Sequence, residues 1–166
     1  EYQNWKNKMG QFTNKIVAEY NPPRKWIMEE SLGYKTDLTE VEQSYLTHVN
    51  VEIKNGTITV GKGFVTDLAS VPRVAWAIMA PWDVARAAII HDLLYKKIRG
   101  YRWFKKSQHL PEDKELVKNA KNIADKVFLM GMKDAYPKVP NWKIYCAWKA
   151  VDLFGRWSII PNKDNI

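Results

Sequence analysis

A chain of 166 residues that is 46% hydrophobic can bury one substantial core, so a single domain over residues 1–166 is expected. Its lone cysteine, Cys146, excludes an intrachain disulfide and reads as a small buried hydrophobe, while no apolar run approaches the ~20 residues that cross a bilayer. The net charge of +8 favours phosphate-bearing or acidic partners.

The chain opens on Glu1-Tyr2-Gln3-Asn4-Trp5-Lys6. That start lacks the apolar core of a signal peptide, and beginning on Glu rather than Met leaves room for an upstream segment. Residues 24–29, with Trp26 and Met28, read as a strand. Ser44 to Lys54 alternates, with Tyr45, Val49, Val51 and Ile53 on one parity, and predicts a further strand. Asn55-Gly56 supplies a tight turn, and Thr57 to Val60 returns as the partner.

Helices follow. A short one spans Pro72 to Met79. Asp83 caps another that runs to about Arg99, with Ala87, Ala88, Leu94 and Tyr95 flanking His91 at helical spacing. Pro111-Glu112-Asp113 opens a third, whose stripe of Leu116, Val117, Ala120, Ile123, Ala124, Val127 and Phe128 continues towards Pro137. Asn141 to Phe154 forms the last, closed by Gly155. The expected fold is α+β, a small antiparallel sheet from the N-terminal half packed against a C-terminal layer of three to four helices.

The candidate site begins at His91-Asp92-Leu93-Leu94-Tyr95, inside an apolar helical run and one of only three histidine positions. Asp125 lies at the margin of the next helix's stripe, where an ionised carboxylate needs hydrogen bonds or charge to offset its burial. One nitrogen of His91 can donate to Asp125 while the other faces a water, the arrangement of a general base with its orienting carboxylate. Tyr95, one turn after His91, can lock the pair. Asp92 and Asp67, with loop carbonyls near Gly61 and Gly63, could supply part of the oxygen set that calcium takes. The bland reading is a satisfied polar bridge between packed helices, with Thr66, Asp67 and Ser70 as caps. Arg73 stands either as a surface cation for an anionic substrate or as a salt-bridge partner of Asp67 or Asp92.

Residues 96–106 hold six cations and three aromatics in eleven positions. Lys96, Lys97, Arg99, Arg102 and Trp103 could meet an anionic or membrane-surface substrate; the plainer alternative is a solvated loop. His48, expected in a strand, and His109, in a polar loop, are not placed like the extra ligands of an HD-type phosphohydrolase. Ser70 lacks the glycine elbow of a serine nucleophile.

The pattern Gly63-Phe64-x-Thr66-Asp67-x-Ala69-Ser70-Val71-Pro72-Arg73, then Ala87-Ala88-x-x-His91-Asp92-x-Leu94-Tyr95, resembles a bacteriophage and prophage family catalogued as a domain of unknown function. Ala124-Asp125-x-x-Phe128-x-x-x-Met132 and the segment 148–156 fit as well, so the resemblance spans roughly residues 24–156. It implies a phage protein found in the host bacterial cytoplasm or the virion, and no settled activity. His91-Asp92-x-x-Tyr95 with Asp125 is also similar to the motif of secretory and viral phospholipases. That likeness implies a water-activating His91, a calcium-binding Asp92 and an orienting Asp125. The cysteines that staple the secretory members are absent here, and their glycine-rich calcium loop is only loosely matched by Gly61 and Gly63.

Two main readings therefore stand. One is a phage-encoded hydrolase built on His91 and Asp125, with calcium as a candidate cofactor, acting on an anionic or lipid-like ester. The other is a non-catalytic virion, tail or accessory protein whose basic surface binds a phage protein, a host protein or anionic lipid. Sequence-specific nucleic-acid binding is disfavoured, since no motif for it is present.

Overall fold

A computed structural model of the protein describes residues 10–68, 71, 73–77, 79–136 and 138–166; the side chains at 74, 76 and 81–83 also lie outside the description. The fold is α+β, as expected. Two small antiparallel sheets are built from β1 (Gln11–Phe12), β2 (Ala18–Asn21), β3 (Lys25–Met28), β4 (Leu32–Lys35), β5 (Ile53–Lys54), β6 (Thr57–Val60) and β7 (Val65–Thr66). Their orders are β1-β4-β6-β5 and β2-β3-β7. The helices are α1 (Glu40–His48), α2 (Arg73–Trp76), α3 (Pro81–Ser107), α4 (Lys114–Lys133) and α5 (Asn141–Ser158).

The hairpin at Asn55-Gly56 forms as read. Ile53 faces Ile58 and Lys54 faces Thr57, and both turn residues take positive φ, 50° and 73°, as a two-residue turn of matching twist requires. The strand expected over 44–54 is a correction. Residues 40–48 are helical, and only Ile53–Lys54 at the end of that stretch is strand. The cause is a capping box: Thr39 Oγ1 accepts from Glu42 N at 3.3 Å and the Glu42 carboxylate accepts from Thr39 N at 3.0 Å. His48 accordingly ends a helix, its Nδ1 lying 2.6 Å from the Ser44 carbonyl.

Helix boundaries also move. α2 covers Arg73–Trp76, shorter than the expected span of 72–79, and Ala69, Ser70, Pro72 and Ile78 are outside the described residues. α3 runs on to Ser107, so the basic-aromatic segment 96–106 is helix rather than loop. Gly100 does not stop it, because an isolated glycine costs a helix only about 1 kcal/mol. Asp83 lies within this helix, in its first turn, and is not its cap. α4 begins at Lys114, just past the Pro111-Glu112-Asp113 expected in its first turn, because Asp113 caps it, accepting from Leu116 N at 2.9 Å.

α5 extends to Ser158, and Gly155 sits buried inside it instead of closing it. Its glycine serves packing: a β-carbon there would overlap the Tyr95 hydroxyl of α3. Cys146 is half-buried, not enclosed.

α3 packs on α4, α4 on both α5 and α1, and β6 on α3. Tyr34 of β4 is fully buried and donates to Asp134 at the end of α4, 2.6 Å away, which ties sheet to helical layer. Lys126 of α4 meets Glu42 of α1 at 2.7 Å.

The close approach of α5 to α3 gives a first prediction. Gly155→Ala should lower unfolding stability by about 1–3 kcal/mol through overpacking against Tyr95, read by denaturant titration. A neutral result would mean that α5 can shift away from α3 freely.

Candidate functional site

His91 and Tyr95 share one face of α3, four residues apart, and both reach the same oxygen on α4. His91 Nε2 lies 3.0 Å from Asp125 Oδ1, and the Tyr95 hydroxyl donates to that atom at 2.6 Å. Lys121, one turn before Asp125 on α4, donates to Oδ2 at 2.6 Å and to the Asp152 carbonyl of α5 at 3.1 Å. Asp125 and Lys121 together thus join three helices.

This network is closed to solvent. His91 is 0% exposed and Asp125 is 2% exposed. The imidazole lies against the Tyr95 ring, centroids 4.0 Å apart, and the Phe128 ring at 5.0 Å. Among the described residues, every buried side-chain nitrogen and oxygen has a hydrogen-bond partner, as native interiors require.

Burial alone would raise the Asp125 carboxyl, but the hydrogen bond and charge of His91, with the Lys121 ammonium, hold it below the ordinary carboxylate range. Burial, followed by the neighbouring Asp125 charge, pushes the Tyr95 phenol well above its ordinary value. Tyr95 therefore acts as a fixed donor.

Asp92, the next residue along α3, points elsewhere. Its Oδ2 accepts from Thr66 Oγ1 of β7 at 2.6 Å, and Thr66 in turn accepts from Leu68 N at 3.1 Å. This fastens the 61–68 segment to α3, and Leu68 takes a φ of 57°. Asp92 and Asp67 line a cleft of about 390 Å³ together with Lys25, Lys96, Arg99 and Asn165. Arg99 is buried there, donating from Nε to the Asn165 carbonyl at 2.7 Å and from Nη1 to the Ser158 carbonyl at 3.1 Å. Burial lowers its pKa, while the charges of Asp92 and Asp67 pull the other way. Among the described residues, no group of three or more His, Cys, Asp or Glu side chains is placed to hold a metal ion.

The structure brings together His91, Tyr95 and Asp125, and separately Asp92 and Asp67. It does not gather the expected cationic surface into one patch. Arg73 is exposed on α2. Lys96 lines the cleft, whereas Lys97 lines another groove beside Glu52 and Lys54. Arg102 is bound to Glu112 at 2.8 Å and to the Ile159 carbonyl at 2.9 Å, and Trp103 is half-buried. Arg99 and Arg102 are thus internal ties to the C-terminal segment. Sequence reasoning missed Lys121, although its spacing of four from Asp125 was a usable signal. The cap-like role read for Thr66 is present locally, its hydroxyl accepting from Leu68 N, and the same hydroxyl also donates to Asp92.

A pH dependence follows from the lowered Asp125 pKa. A carboxyl depressed in the fold adds stability above its ordinary value of 3.8, and that stability is lost as pH falls below this value through the lower folded one. Asp125→Asn, which leaves the buried Lys121 ammonium without its carboxylate, should cost on the order of 3 kcal/mol at neutral pH. It should also flatten the acid limb of the stability profile. Parallel acid limbs for wild type and variant would show that Asp125 is not held down by its neighbours.

No curated protein and no solved structure matches the chain. A family model does, over residues 39–151, a span that includes α1 and both helices of the His91–Asp125 bridge. By that match the chain belongs to the family described as protein of unknown function DUF1353.

Proposed function

We propose that this is a phage-encoded docking protein in which the His91–Asp125 pair is architecture. The phage assignment is supported by the likeness of the 63–73 and 87–95 motifs to a bacteriophage and prophage family. The non-catalytic reading rests on one observation: the imidazole of His91 is wholly enclosed, against an Asp125 carboxylate that already accepts from His91, Tyr95 and Lys121. A general base must come within hydrogen-bond reach of the proton it takes, directly or through one water. An imidazole with none of its surface exposed offers substrate no such approach.

The phospholipase-like alternative also asks Asp92 to bind calcium. Asp92 instead holds Thr66, and the Arg99 guanidinium interacts with both Asp92 and Asp67. Function then falls to the protein's outer surface, whose excess charge of +8 suits an acidic partner.

The test compares wild type with His91→Gln on vesicles containing anionic phospholipid, with calcium or with chelator. The expected outcome is no fatty-acid release from either protein, together with a loss of about 1–3 kcal/mol of stability in the variant, whose buried partners go unsatisfied. Calcium-dependent release by the wild type, abolished in a variant of unchanged melting temperature, would establish catalysis at His91 and overturn this reading.

A further inference from the structure

α5 has two faces of different character. Towards the core it presents Ile144, Ala147, Val151 and Gly155, all buried, at the three- and four-residue spacing of one helical stripe. Diametrically opposite, the solvent side of an ordinary amphipathic helix would carry mixed charges. Here that side is aromatic and aliphatic. Trp142, Tyr145, Leu153 and Trp157, continued by Ile160 just past the helix end, each leave half or more of their surface exposed. An exposed side so rich in large apolar side chains marks an interaction surface.

The polar residues within the stripe are Lys149 and Arg156, both cations, and Lys143 borders it. The one carboxylate of α5, Asp152, sits at the flank and is neutralised by Lys149 at 3.6 Å and Lys121 at 3.8 Å. Two cations lie over rings of the stripe, Arg156 at 4.3 Å from the Trp157 centroid and Lys143 at 5.8 Å from that of Trp142, and Lys149 is 4.7 Å from the centroid of Trp148, which packs against the core beside it.

Three kinds of occupant make different demands on such a face. Protein interfaces are depleted of lysine at their centre, whereas Lys149 lies mid-stripe. Bases of single-stranded nucleic acid stack on open ring faces, and here one face each of Trp142 and Trp157 carries a cation, with Phe154 stacked beside Trp157 at 5.8 Å. An anionic bilayer surface meets every feature, because tryptophan and tyrosine settle at the headgroup level, leucine and isoleucine enter the acyl boundary, and lysine and arginine meet lipid phosphates. No described helix is long and apolar enough to cross a membrane, so α5, about 27 Å long at 1.5 Å per residue, would lie flat.

We propose that the outward face of α5 docks the protein on anionic phospholipid membranes. This rests on the docking reading above and names its partner. Co-sedimentation with vesicles tests it, using phosphatidylcholine alone or mixed equally with phosphatidylglycerol. Wild type should pellet with the mixed vesicles and bind phosphatidylcholine at least about tenfold more weakly. Trp142→Ser with Trp157→Ser, and separately Lys149→Glu with Arg156→Glu, should each weaken binding by about tenfold or more, with circular dichroism confirming an intact fold.

Lys114→Glu with Lys118→Glu makes the same change of net charge on exposed positions of α4 and should leave binding nearly intact. Absence of wild-type binding would overturn the inference, as would equal loss in the α4 control. Lipid-free dimerisation abolished by the tryptophan substitutions would also overturn it and assign the face to a second copy of the chain. These outcomes are separate from turnover at His91, which bears on the docking reading alone.

Discussion

The Asp125 carboxylate is the group on which the arrangement of the helical layer depends. It lies almost fully out of water, where an uncompensated negative charge would be prohibitive. Compensation comes from His91 and Tyr95 on α3 and from Lys121 on its own helix, and Lys121 extends to the α5 backbone. Each contact has directional requirements, so satisfying all of them leaves α3, α4 and α5 little freedom to slide or rotate. Apolar stripes alone would tolerate several registers; the buried polar bridge selects one.

The same chemistry explains why the site invites a catalytic reading. An imidazole oriented by a carboxylate is the skeleton of general-base catalysis, and equally a way to satisfy polar groups where helices cross. Residue types and spacing do not separate these uses. Access does, and here Tyr95 and Phe128 flank the imidazole while Gly155 lets α5 press against Tyr95. Asp92, next along α3, accepts from Thr66 of β7 and lines a cleft beside Arg99.

The two sides of α5 differ. Small and branched residues, Ala147, Val151 and Gly155, permit close approach to the rest of the layer, Trp148 packs against the core, and Trp142, Tyr145 and Trp157 are exposed. The basic segment 96–106 works in the opposite sense: Arg99 and Arg102 turn in to bind carbonyls near the end of the chain. The local density of cations in sequence is therefore a poor guide to where the exposed charge acts.

Features that are local or strongly periodic could be read from residue order alone. The Asn55-Gly56 hairpin, the stripe of α4 and the α+β class were all legible, because turn chemistry and a 3.6-residue repeat act over short range. So was the pairing of His91 and Tyr95 with Asp125, since a carboxylate on an apolar stripe demands partners. The helix at 40–48 was legible too, through its capping box, but alternating apolar residues over 44–54 hid it. Packing across the molecule settled the rest: that His91 is sealed from water, that Lys121 completes the bridge, that Gly155 is an interhelical contact and not a terminator, and which face of α5 remains bare. Those properties depend on how helices meet, and exposure is fixed by neighbours distant in the chain rather than by the residue itself.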